Sequence, residues 1–115
     1  VNGTKLIMVK YQTHGLELRM DKSTEIIIYR IVQELLNNIL KHAAATEAFV
    51  QLVKEGNRLN VVVEDNGKGF DASMIAESNG AGLANIQSRV EYLKGQLDIH
   101  SEPGKGTLVN IEFNL

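Results

Sequence analysis

The sequence predicts an α/β (α+β) fold of two layers, a mixed and mostly antiparallel sheet covered on one face by helices. Three observations predict it. Segments with strand-like alternation and helix-like periodicity alternate in the order strand, helix, hairpin, helix, hairpin. The hairpin turns span only a few residues, and strands joined so shortly run antiparallel. The two helical segments each carry an apolar side that must be buried, so they share one face of the sheet. The chain has 115 residues, so residues 1–115 are expected to form one domain.

Each element has its own signal. Lys5–Gln12 (KLIMVKYQ) is β-branched and apolar, and His14-Gly15 marks a turn. Asp21 or Ser23 can cap a helix from about Thr24 to Ala44, with Glu25 in its first turn. At 100° per residue, Ile28, Val32, Leu35, Leu36, Ile39, Leu40 and Ala43 share one arc, with Arg30, Glu34, Asn38 and Lys41 opposite. Ala48–Lys54 and Arg58–Asp65 read as strands, and Glu55-Gly56-Asn57 as the tight turn between them. Asp71–Asn79 is small and polar, a short helix and loop. A second helix follows Gly80–Leu83, carrying Leu83, Ile86, Val90 and Leu93, with Gly95 placed as a C′ glycine. Gln96–Ser101 and Thr107–Phe113 alternate on either side of the turn Glu102–Gly106.

Composition removes several classes of function. There is no cysteine, so disulfides and thiolate zinc sites are excluded. The chain is 43% hydrophobic and 23% charged, which fits a globular domain and argues against disorder. The formal net charge of −2 speaks against a broad nucleic-acid footprint. No apolar stretch is long enough to cross a bilayer, so this segment is expected to make no direct membrane contact.

Three glycine segments and one helix stripe carry the chemistry. Glu34 and Asn38 are four residues apart on a helix, hence neighbours. A carboxylate beside an amide oxygen suits a hard cation such as magnesium, with Lys41 nearby for a phosphate; a solvated helix face fits the same residues. Asp65 ends an apolar strand and opens DNGKGF. A carboxylate so placed needs donors, and the exocyclic amine of a base is one, but Asp-Asn-Gly is also ordinary turn chemistry. Gly80-Ala81-Gly82-Leu83 precedes a helix whose free amides could bind an anion, or simply starts it. Gly104-Lys105-Gly106-Thr107 reads as a hairpin turn. His14 and His100 read as surface residues, and His42 as a residue of the helix end.

In combination these segments say more. The order E-x-x-x-N-x-x-K-H, D-x-G-x-G, G-x-G-L and G-x-G-T resembles the ATP-binding domain shared by histidine kinases, DNA gyrase, Hsp90 and MutL. Within that superfamily the run GAGLANIQSRVEYLKGQLDIHSEPGKGTLVNIEF looks like a two-component sensor histidine kinase. ELLNNILKHA resembles the N box, and its style is nearest the nitrate-sensor-like kinases; DNGKGF and GAGL resemble the two glycine boxes. The resemblance covers about Thr24 to Phe113 and implies a Bergerat-type fold.

It implies roles as well. Asp65 is expected to accept the adenine amine, Thr107 to support that carboxylate or a bridging water, and Gly67 and Gly69 to shape the pocket. Asn38 is expected to hold Mg2+, Lys41 and His42 to contact phosphate, and Gly80, Gly82 and Leu83 to form the hinge and amides of an ATP lid across Asp71–Gly82. Glu34 matches the position of the catalytic base in related ATPases. The expected reaction is phosphoryl transfer from ATP to a histidine on a separate dimerisation domain, feeding a response regulator indirectly, in a cytoplasmic domain of a parent anchored in the membrane. None of His14, His42 and His100 matches the phosphoacceptor, so the chain is expected to bind ATP without phosphorylating itself. An anti-sigma-factor serine kinase and a non-catalytic nucleotide-binding adaptor are the alternatives; the GLANIQSRVEYLKG run favours the sensor kinase.

Overall fold

The structure, a computed structural model, describes residues 8–15, 21–40, 45–67 and 83–115, the last stretch without the side chains of residues 83–85. The elements are β1 (Met8–His14), α1 (Lys22–Asn38), β2 (Glu47–Glu55), β3 (Arg58–Asp65), α2 (Leu83–Tyr92), β4 (Gln96–Ser101) and β5 (Thr107–Asn114). They form one five-stranded sheet of order β1-β2-β3-β5-β4. Among the described residues only β1 and β2 pair in parallel, and the other three ladders are antiparallel. The sheet is therefore mixed and mostly antiparallel, as the hairpins require.

Alternation sorts the residues of β2, β3 and β5 onto two faces. Val50, Leu52, Val61, Val63, Ile111 and Phe113 point inward and are buried. Ile28, Ile31, Val32 and Leu35 of α1 and Ile86 and Val90 of α2 close over them. Each such large side chain contributes roughly 1.5–3 kcal/mol of transfer free energy. Among the described residues, no helix is long and apolar enough to cross a membrane.

Several boundaries differ from the sequence reading. His14 is the last residue of β1, paired with Val53, rather than part of a loop. Asp21 occupies the N-cap of α1 without a side-chain cap bond, because the Ser23 hydroxyl donates to its carboxylate instead. The buried arc of α1 also turns away from the expected one. It includes Ile31, fully buried, whereas Leu40 is 60% exposed. Residues buried on α1 centre on Ile28 and Leu35, and Leu40 lies roughly 120° from that centre. By the same count Glu34 and Asn38 fall on a flank rather than on the back, and both are half-buried. Ala43 and Ala44 lie outside the described residues.

The end of α2 is also shifted by one. Gly95 donates to the Val90 carbonyl at 2.8 Å and Lys94 to the Glu91 carbonyl at 2.9 Å. That pair of bonds is a Schellman motif, and its left-handed residue is Lys94, with φ of 58°. Gly95 is required for space: a Cβ there would lie 2.6 Å from the Phe113 ring and 2.8 Å from the Glu112 carbonyl oxygen.

Candidate functional site

Topology brings the chemistry to one end of the sheet. β3 runs toward Asp65, and β2, antiparallel to it, starts there with Ala48 opposite Asp65. The chain reaches β2 from α1, so the C-terminal turn of α1, with Asn38, lies at this end. β5 starts here with Thr107 opposite Asp65, and β4 ends here with Ser101 opposite Thr107. β4 begins at the far end, directly after α2, so α2 points its N-terminus, Leu83, back toward Asp65. On α1, Tyr29 lies near Tyr11 of β1; burial first, then this neighbour, holds the Tyr11 hydroxyl's pKa up. Glu34 and Asn38 occupy the other flank and are half-buried, and α1 also packs against α2.

Asp65 is the centre of the corner. It is only 7% exposed, and its Oδ1 accepts the Gly67 N–H at 2.8 Å. Burial pushes its carboxyl above the ordinary range, the Gly67 N–H pulls it back, and Glu64 adds a smaller upward push. A buried acceptor of this kind gains most from a donor brought by a ligand. A groove at this strand end is lined by residues of both faces, Asp65, Ser101 and Thr107 together with Glu64, His100 and Leu108, and by the turn between β4 and β5.

Three residues build this corner without having been singled out as site residues. Asn66 is a clamp. Its Oδ1 accepts the N–H groups of Thr46 and Glu47, each at 2.9 Å, and its Nδ2 donates to Thr46 Oγ1 at 2.9 Å. The segment leading from α1 into β2 is thereby tied to the end of β3. Gly106 has φ of +82°, and a Cβ there would lie 2.2 Å from the Asp65 carbonyl oxygen. The hairpin thus closes directly on the backbone of Asp65. Ser101 places its hydroxyl 2.8 Å from that of Thr107. The G-K-G-T pattern flagged the hairpin, but only the fold reveals what its second glycine touches.

Of the remaining predicted site residues, Leu83 is the first residue of α2. Lys41, His42, Gly69, Gly80 and Gly82, and the expected lid before Leu83, lie outside the described residues. His100 is exposed and pairs with Asp98 at 3.3 Å on the outer face.

Comparison with known proteins gives a consistent result. The family described as histidine kinase-, DNA gyrase B-, and HSP90-like ATPase matches residues 23–115. The signal transduction histidine-protein kinase/phosphatase DegS of Brevibacillus brevis is 39% identical over 107 residues, which cover 93% of this chain and 28% of that protein. The sensor histidine kinase ComP of Bacillus subtilis is 35% identical over 108 residues, covering 93% and 14%. The chain therefore spans less than a third of the length of either relative. Among solved structures, the blue-light activated histidine kinase of Erythrobacter litoralis EL346 superposes with a TM-score of 0.79 at 29% identity, covering 98% of this chain and 36% of that one. A structure of the histidine kinase domain of that protein gives 0.73 at 30% identity, covering 93% and 55%.

Proposed function

We propose, from the premise that this chain belongs to the histidine kinase-, DNA gyrase B-, and HSP90-like ATPase family, that it is the ATP-binding kinase domain of a sensor histidine kinase. The γ-phosphoryl group of ATP passes to a histidine imidazole on a separate dimerisation domain and from there to a response regulator. The parent protein holds this domain in the cytoplasm. One observation carries the reading: a buried carboxylate, Asp65, stands at the sheet end where α1, α2, β4 and β5 converge.

The residues divide the work. Asp65 accepts the exocyclic amine of adenine, with the Gly67 N–H fixing its orientation. Thr107, its cross-strand neighbour, supports the same edge of the base. Gly69 shapes the base pocket. Asn38 and Glu34 offer an amide oxygen and a carboxylate on adjacent helical turns, a donor set that fits a hard, oxygen-seeking cation. Magnesium bound there would neutralise phosphate charge. Lys41 and His42 add contacts to phosphate, and the amides at the start of α2, with Gly80 and Gly82, supply further donors. In the transfer the imidazole nitrogen bonds to the γ-phosphorus as the bridging P–O bond breaks and ADP leaves. Little covalent work falls to the protein, which positions the reactants and stabilises charge. Glu34 accepts the imidazole N–H and orients the nucleophile.

The test supplies labelled ATP and a separate dimerisation domain from a kinase of this kind. The expected product is acid-labile, base-stable phosphohistidine on the added domain, and none on this chain alone. Acid-stable phosphoserine on a partner protein would overturn the reading.

A further inference from the structure

We propose that Ser101 is a positioning residue that sets the base selectivity of the nucleotide site; the inference rests on the nucleotide reading above. Ser101 ends β4, is half-buried and faces Thr107 across the β4–β5 ladder. Its Oγ lies 3.2 Å from the Gly106 carbonyl oxygen and 2.8 Å from Thr107 Oγ1. A carbonyl can only accept, so the single Ser101 proton goes to Gly106. The Ser101 oxygen then accepts from Thr107. The relay runs Thr107 to Ser101 to Gly106, anchored on a glycine whose backbone is pressed against Asp65.

The consequence lies at Thr107. Its one proton is committed to Ser101, so its remaining lone pairs are what it offers a base bound beside Asp65. Asp65, its neighbour in register, is likewise an acceptor when ionised. Two acceptors side by side favour a base edge that carries a donor. Adenine presents an amine at that edge, whereas guanine presents a carbonyl oxygen. Without the Ser101 hydroxyl, Thr107 is free to rotate and donate, and the corner can then satisfy the guanine oxygen. Ser101 acts on the base through Thr107 and need not touch it.

The experiment titrates ATP and GTP, each with magnesium, into the 115-residue chain and its Ser101→Ala, Ser101→Thr and Asp65→Asn variants. The unmodified chain should prefer ATP. Ser101→Ala should narrow the ATP to GTP affinity ratio about tenfold, the weight of one neutral hydrogen bond. Ser101→Thr keeps the hydroxyl and should keep the ratio. Loss of affinity for both nucleotides by one factor, with the ratio intact, would mean Ser101 only braces the hairpin and would overturn the inference. If Ser101→Ala does not fold, Ser101→Cys, near-isosteric with a weak donor, must narrow the ratio in its place. Asp65→Asn separates the two readings. An unmodified chain that binds neither nucleotide, or an Asp65→Asn variant with unchanged ATP affinity, sinks the nucleotide reading and this inference with it. A normal Asp65 response with an unchanged ratio in Ser101→Ala sinks the inference alone.

Discussion

Asp65 and Asn38 lie at the same end of the molecule, yet the fold holds them in unlike ways. Asp65 ends a central strand, with Ala48 on one side of it and Thr107 on the other, and the Gly67 N–H fixes its carboxylate. Asn38 is the last residue of α1 and is half-buried; among the described residues neither it nor Glu34 makes a side-chain hydrogen bond. The corner at Asp65 is assembled by folding itself, because its groups are backbone-linked. The stripe on α1 is placed by packing and completed by what it binds. Substitutions at the corner should therefore change stability, and those on the stripe should change binding alone.

The largest effect should come from Gly106→Ala. The new Cβ would meet the Asp65 carbonyl oxygen at 2.2 Å, at a φ of +82° that L-residues rarely adopt. Strain and overpacking together should cost about 3 kcal/mol or more. Urea denaturation reads this out, and a cost below 1 kcal/mol would show the corner to be plastic. Asn66→Ala should rank next. It removes a side chain that satisfies two backbone N–H groups and the Thr46 hydroxyl. The site is exposed enough for water to replace part of this, so the expected loss is about 2 kcal/mol.

Why these two residues escaped the sequence reading is instructive. Strand alternation in β2 to β5 made the sheet and most of the core legible, since period two leaves one answer for each side chain. Asp65 and Thr107 were legible through their glycine motifs. Asn66 stood within Asp-Asn-Gly, where turn chemistry is a sufficient local explanation; its partners are about twenty residues away, and no spacing encodes them. Gly106 was visible as a turn glycine, but the atom it presses against belongs to β3. The helix arc was misplaced because Leu40 and Ala43 are apolar: the sequence pattern counts them as core, and packing leaves Leu40 exposed. That error put Glu34 and Asn38 on the back of α1, when they lie on a flank and are half-buried.

Asp65→Asn should bring a smaller change in stability, and with opposite sign. Burial raises the Asp65 carboxyl, so the folded state holds a proton more tightly than the unfolded one. Stability from this group is full below the ordinary aspartate range and is lost as pH rises through the raised value. At pH 7 the unliganded domain carries a buried charge that Asn removes, while Asn can still accept the Gly67 N–H through its own oxygen. The variant should melt slightly higher than the parent at pH 7, and the gap should close toward pH 4. Its ATP affinity should fall by about 1–3 kcal/mol, because the charged acceptor for the base amine is gone. A variant that melts lower at pH 7 would mean the carboxylate supports the fold more than burial penalises it.

Asn38→Ala tests the other side of the comparison and should hardly move stability. The position ends a helix, alanine is the better helix former, and no side-chain hydrogen bond among the described residues is lost. The expected change is within about 0.5 kcal/mol, the usual range for substitutions away from special features. Binding should respond differently. If the amide oxygen holds magnesium, ATP affinity measured with magnesium should fall, while affinity measured in chelator should match that of the parent. Adenosine, which has no phosphate to bridge, should bind both proteins alike. A denaturation cost above 1 kcal/mol would place Asn38 with Asp65 among the residues that build the site. An equal loss of ATP affinity with and without metal would remove it from the metal's shell and leave the helix stripe without its proposed ligand.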